Sequence, residues 1–373
     1  MRVPATKPFF SDSDQNFILD NFKDILQGKS FLSMYKHGEE FENRFAEYIG
    51  TENAVACSSG TSALELIFES LNVRDKEVIV PSNTFLATVI AIRNAGGIPV
   101  FADCNDQMCL DYEDAVSKVT SKTSAICIVH IGGIVSESIV NLKSFCEKSN
   151  LYLVEDAAQA HGSSLNGVKA GNFGNAAAFS FFSTKVMTTG EGGMVTVNSV
   201  ELVEKMRSMR EFGKVKTDIY TNYHKYFGYN WRMPEVSALM GIKQLESLDK
   251  FILRRREIAL KYDDELVGIS GLRHVSPSEK QNHNYFKYIL ILENKERKQF
   301  HQELENKGIS PSGYIYELPL HKQPVLQEYS HNKLPKTDFY CANHICLPIF
   351  YGMTDRQVIY VSNCVKESME VSN

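Results

Sequence analysis

Leu151-Tyr152-Leu153-Val154-Glu155-Asp156-Ala157-Ala158-Gln159-Ala160-His161-Gly162 is an apolar run that ends on two acids and passes into small residues. Such a run reads as a strand of a buried sheet, with polar residues just past its carboxyl end. The pattern recurs upstream. Ala54-Val55-Ala56-Cys57 is followed by Ser58-Ser59-Gly60-Thr61, and Glu77-Val78-Ile79-Val80 by Pro81-Ser82-Asn83-Thr84. Residues 98–102 and 125–129 are further runs of this kind, and helical periodicity over 61–71, 87–94 and 139–149 separates them. From Glu52 to Asn198 this alternation predicts an α/β fold on a mostly parallel sheet covered on both faces. Ligands of such sheets collect at the carboxyl ends of the strands, so three strand ends carry candidate site residues.

Downstream, Phe179-Ser180-Phe181-Phe182-Ser183-Thr184-Lys185 leads into Thr188-Thr189-Gly190-Glu191-Gly192-Gly193-Met194. An acid ending a strand and a lysine on a Ser/Thr/Gly-rich turn are the two polar anchors that a pyridoxal phosphate (PLP) site requires. The carboxylate keeps the pyridine nitrogen protonated; the amine condenses with the aldehyde and later carries a proton. Burial and the pyridinium would lower the pKa of Lys185 towards neutrality. Taken singly, Lys185 could be a snorkelling side chain and Asp156 a helix cap. Ser59-Gly60-Thr61-Ser62 supplies a tight turn and hydroxyls at a helix start, where the dipole favours a phosphate; alone it is only a good N-cap.

Past residue 200, Pro234 marks the first turn of a helix to about 249, followed by a helix over about 248–266 with Leu248, Phe251, Ile252, Ile258, Ala259, Tyr262 and Leu266 on one stripe. A strand over 284–291, a helix near 295–308 and a last helix near 355–370 give a smaller α+β unit, with fraying expected after Val365. The expected division is 1–248 for the large unit with its N-terminal segment and 249–373 for the small one. Composition is that of an ordinary globular chain: 43% hydrophobic, 23% charged, net charge −5. This balance lacks the basic face of a nucleic-acid binder. Arg254-Arg255-Arg256 is expected on one solvated helix face. The eight cysteines form no CxxC pair and are expected to be buried reduced thiols, so no metal site is expected. No apolar leader or membrane span is read, and a soluble cytoplasmic protein is expected.

With these motifs in order, residues from about 38 to 361 resemble the DegT/DnrJ/EryC1/StrS sugar aminotransferases. The resemblance implies PLP-dependent transferase fold type I, the aspartate-aminotransferase-like fold, with a large seven-stranded-type sheet domain and a smaller C-terminal domain. It implies transfer of an amino group from L-glutamate to a nucleotide-linked keto-deoxy sugar, for the amino sugars of a surface polysaccharide or a glycosylated metabolite. It makes Lys185 the lysine that joins the cofactor and Asp156 the partner of its pyridine nitrogen. Gln159 would touch the ring's 3′-oxygen, Phe85 would stack on the ring, and Gly60, Thr61, Ser62 and Ser180 would hold the phosphate. Asn230, in Gly228-Tyr229-Asn230-Trp231-Arg232, would reach into the neighbouring subunit's site, which implies a homodimer. Tyr316 and His321, in Tyr316-Glu317-Leu318-Pro319-Leu320-His321, and His161 become candidate substrate contacts. Two segments depart from the family pattern: Leu347-Pro348-Ile349-Phe350-Tyr351 lacks the usual histidine, and His130-Ile131-Gly132-Gly133 replaces an aromatic-Gly pair. A sugar dehydratase of the same family would carry histidine in place of Lys185, and a non-catalytic regulatory protein on this fold would not need the Asp156/Lys185 pair.

Overall fold

The computed structural model describes residues 1–370. Its central sheet contains β1 (Asn53–Cys57), β2 (Glu77–Pro81), β3 (Ile98–Ala102), β4 (Thr123–Val129), β5 (Tyr152–Asp156), β6 (Ala176–Ser180) and β7 (Gly193–Val197). The spatial order is β1-β7-β6-β5-β4-β2-β3. Strands β3, β2, β4, β5 and β6 are mutually parallel, whereas β7 runs antiparallel to both β6 and β1. The strands are mostly apolar because both faces are covered, and successive side chains alternate between two cores. Ile79, Ile126, Leu153 and Phe179 enter one; Val78, Val80, Ala125 and Val154 enter the other.

Eight helices accompany this sheet: α1 (Asp12–Leu26), α2 (Lys36–Ile49), α3 (Gly60–Ser70), α4 (Leu86–Asn94), α5 (Tyr112–Ser117), α6 (Ser138–Ser149), α7 (Val200–Arg210) and α8 (Glu235–Leu266). Helices α2 and α8 cover the first face, with Phe41, Phe45, Ile242 and Leu248 in its core. Helices α3, α4 and α7 cover the second through Leu66, Ile67, Ile92 and Met206. A second sheet, β8 (Leu272–His274), β9 (Tyr288–Leu292) and β10 (His344–Leu347), is antiparallel in that order. It shares a core with α9 (Arg297–Asn306) and α11 (Asp355–Glu370), while α10 (Pro335–Asn343) precedes β10.

The two helices expected on either side of residue 248 are one. Helix α8 runs unbroken for 32 residues, and Pro234 is its N-cap residue rather than part of its first turn. Nothing in Glu235–Leu266 interrupts the pattern, because the lone internal glycine, Gly241, lies against the ring of Phe41 where a Cβ would stand 2.5 Å away. The apolar stripe simply changes partner. Ala238 to Ile252 pack on the first sheet, and Ile258 to Leu266 pack on the second.

Three other expectations are corrected. Arg254, Arg255 and Arg256 do not share a solvated face, since consecutive helical residues point about 100° apart. Arg254 pairs with Asp355, Arg255 is buried and donates to the carbonyls of Tyr285 and Ile349, and Arg256 donates to that of His283. The strand expected from 284 begins at Tyr288, because buried Asn284 spends its amide on the carbonyls of Gln159 and His161. Helix α11 continues to Glu370 with Ser368 buried, so the chain is helical past Val365; residues 371–373 lie outside the described residues. The eight cysteines are buried and unpaired as expected. Among the described residues no helix is long and apolar enough to cross a membrane, and no His/Cys/Asp/Glu group is arranged to hold a metal ion.

Candidate active site

Where β1, β5 and β6 end, a cavity of about 400 Å³ opens, within the usual size of a small-molecule site. One wall is the start of α3. Ser59 caps the helix: its hydroxyl accepts from the Ser62 N–H at 3.1 Å, while the Ser62 hydroxyl accepts from the Ser59 N–H at 2.9 Å. This box turns the Ser62 side chain inward, where it is buried, so it shapes the turn and does not line the cavity; Ser59, Gly60 and Thr61 do. The first N–H groups of any helix have no intrahelical acceptor; here the Ser62 N–H is capped, and Gly60 and Thr61, whose N–H groups have no acceptor, line the cavity. Gly60 is required at this point: a Cβ would lie 2.7 Å from that of Ser180, which lines the cavity from the end of β6.

Asp156 ends β5 and is buried. Thr88 donates its hydroxyl to Oδ2 at 2.8 Å, and the Ala158 N–H donates to Oδ1 at 3.2 Å. Burial pushes the carboxyl pKa up, against the opposing pull of these two donors and of Lys185. Lys185 sits on the turn between β6 and β7. That turn is pinned by the Phe181 N–H to Gly192, the Lys185 N–H to Phe182 and the Thr189 N–H to Phe181, all at 2.8–3.0 Å. Loss of hydration lowers the lysine to about 8, with Asp156 opposing and Lys287 reinforcing the shift. An amine in this range is available as a base near neutral pH.

The facing wall comes largely from the small sheet's side. Gln159 accepts from the Gly132 N–H at 2.7 Å and donates to the Tyr316 hydroxyl at 3.2 Å. The Phe85 ring is 59% exposed and lies 5.7 Å from that of Tyr316. Phe286 and Lys287, at the entry to β9, and Tyr314 complete this side. None of these three was singled out in the sequence, nor was Thr88 as a site residue. A signal existed for Thr88, which lies one turn into the helix after Phe85; Lys287 had none, because a lysine entering a strand looks like any edge residue.

Thus the structure gathers Gly60, Thr61, Phe85, Asp156, Gln159, Ser180, Lys185 and Tyr316 around one cavity. It does not bring the other four. His161 is fully buried with its ring 5.4 Å from Phe179 and 5.6 Å from Phe181, inside the first core. His321 is also fully buried, accepting or donating through Nδ1 with Ser82 at 2.8 Å and facing Asp338. Ser62 is turned inward as above. Asn230 is exposed, away from its own chain's cavity, on a segment whose Trp231 carbonyl accepts from the Ser58 N–H beside the α3 turn.

These residues fit pyridoxal phosphate. The glycine cradle and free N–H groups at α3 suit a phosphate, and the exposed face of Phe85 suits a planar ring. Asp156, buried at a strand end with its acidity suppressed, suits a protonated ring nitrogen. The chain is 34% identical to the GDP-perosamine synthase of Vibrio cholerae over 372 residues, 98% of each chain. Among solved structures it matches PseC of Helicobacter pylori, an aminotransferase involved in the biosynthesis of pseudoaminic acid, with a TM-score of 0.92, 25% identity and complete coverage of both chains. It also matches Spr1654 of Streptococcus pneumoniae in its PLP form, with a TM-score of 0.90, 25% identity and complete coverage of both chains. The model of the DegT/DnrJ/EryC1/StrS aminotransferase family matches residues 12–366, and this chain belongs to that family.

Proposed function

We propose that this protein is a PLP-dependent aminotransferase that moves an amino group, with L-glutamate as donor, onto a nucleotide-linked keto sugar in amino-sugar biosynthesis. The observation that carries this reading is the facing pair in the cavity: a buried carboxyl raised by burial, and a lysine lowered to about 8. Family membership and near full-length identity to a sugar-nucleotide aminating relative support it.

Bound PLP supplies an electrophilic carbon and an electron-accepting ring. Lys185 would hold the cofactor through its amine and, once the donor displaces it, would act as the base at the donor's α-carbon. Asp156, held by Thr88 and Ala158, would keep a proton on the ring nitrogen. Ser59, Gly60, Thr61 and Ser180 would hold the phosphate, Phe85 would offer its exposed face to the ring, and Gln159 would reach the ring oxygen. The donor and the sugar use one cavity in turn, so the kinetics are ping-pong. Residues 1–248 form the cofactor-binding unit and 249–373 the smaller unit, which adds Phe286, Lys287, Tyr314 and Tyr316 to the facing wall.

The functional unit is a cytoplasmic homodimer. Ile219, Tyr220 and Phe227 are 60–99% exposed on the segment that leads to Asn230, an apolar surface suited to a second copy. Asn230 would then serve the partner's cofactor. The test is direct. The purified protein should be yellow and should lose that colour when glutamate is added; mass spectrometry of the product mixture with sugar nucleotides then names base, sugar and position. A protein that stays colourless with added PLP overturns the reading.

A further inference from the structure

Lys185 and Lys287 are the two cations that line the cavity among the described residues, and Asp156 and Glu191 are its acids. Three of these four have an account. Lys185 and Asp156 belong to the cofactor, and Glu191 is exposed at the rim. Lys287 has none. Its amine is held by the Ser312 carbonyl and lies 5.0 Å from the centroid of the Phe286 ring. Among the described residues no carboxylate pairs with it, and burial, with Arg255 also opposing its charge, lowers its pKa. A half-buried ammonium that meets only a carbonyl and a ring face is left without a counter-charge.

Its position narrows what could compensate it. The Lys185 amine also lies 5.0 Å from the Phe286 centroid, so the two amines are separated by at most twice that distance. Lys287 is tied to the wall opposite the phosphate cradle: its backbone N–H donates to the Gly132 carbonyl, and the Gly132 N–H donates to Gln159, which holds Tyr316. The cofactor phosphate is therefore not its partner. What reaches this wall is the substrate, close to the carbon on which Lys185 acts.

We propose that Lys287 binds a carboxylate of the amino donor and so selects an acidic amino acid in the first half of the exchange. This rests on the aminotransferase reading above. No bond is made or broken at Lys287; it forms a charge-assisted hydrogen bond that the keto sugar, uncharged near its carbonyl, does not use.

The two halves of a ping-pong exchange separate the effect. Lys287→Met, and the more conservative Lys287→Gln that keeps a donor to Ser312, are compared with wild-type holoenzyme. Calorimetry with glutarate, a dicarboxylate without an amine, and the rate of bleaching by glutamate should each show affinity about ten- to hundredfold weaker in both variants. Binding of GDP, UDP or dTDP, whichever the wild type takes, should be unchanged, and Lys287→Arg should recover part of the glutarate affinity. Variants that bind glutarate as wild type does overturn the proposal, as does a loss confined to the nucleoside diphosphate. Wild type that fails to bleach with glutamate overturns the functional reading instead.

Discussion

The two walls of the cavity are built on different principles. The wall made by α3, β5 and the Lys185 turn is dictated by backbone: a glycine that nothing else can replace, a capping box, and a strand that ends on an acid. The wall made by Gln159, Phe286, Lys287 and Tyr316 is assembled from side chains on separate segments, Gln159 and Tyr316 being 157 residues apart. The first wall suits a group that never varies, such as a cofactor phosphate and ring. The second can change residue by residue without disturbing the first, which suits a wall that meets the substrate.

The largest effect should come from the first wall. Lys185→Ala removes the amine that carries the proton, and turnover should fall by about 10⁴-fold or more. It should be measured as amino transfer to the sugar acceptor with PLP saturating. Residual turnover near wild type would break the contrast, because the invariant wall would then hold no indispensable group. Asp156→Asn keeps the shape and the Thr88 contact but removes the charge that faces the ring nitrogen. A loss of about 10²–10³-fold in kcat is expected, with thermal stability little changed.

His321 sharpens the comparison from the other side. It belongs to a motif that pointed to substrate, yet it is buried against Ser82 and Asp338. His321→Ala should destabilise the fold by about 1–3 kcal/mol, since the Ser82 hydroxyl loses its partner. KM for the sugar nucleotide should stay as in wild type; a large rise in KM with unchanged stability would return His321 to the substrate wall.

The smallest effect concerns pH. Lys185 is lowered in the folded protein from 10.5 to about 8, so between these values the unfolded chain binds the extra proton. Stability of the PLP-free protein should therefore rise as pH goes from about 8 towards 10.5, and the penalty is complete below 8. Comparing melting temperatures of wild type and Lys185→Met across that window isolates the term. Equal slopes would show that the amine is hydrated after all.

What the sequence revealed follows the same division. The parallel strands, the Ser59-Gly60-Thr61 turn, Asp156 and Lys185 are legible because each is a local rule: continuous apolar runs, a cap, a strand end, a Gly-rich turn. Lys287 was not, since its role depends on which residues lie opposite it in space. The histidines His161 and His321 were read from local motifs, and the structure buries both. His321 meets Ser82 across 239 residues, a pairing no local pattern contains. The unbroken α8 was missed because its stripe changes partner midway, and a change of partner leaves no mark on a 3.6-residue period.

That helix also imposes a constraint on how this enzyme can diverge. Lys287 and Tyr316 follow its far end in the chain and are brought back to the cavity by contacts such as Asn284 with Gln159 and the Lys287 N–H with Gly132. Adding or deleting one residue between Ile252 and Ile258 would swing the downstream lobe by about 100° and slide it by about 1.5 Å. Such an indel would carry the second wall off the reaction centre while sparing both cores. Length in this stretch is thus a dial with one working setting, and substrate preference has to be tuned by substitution instead.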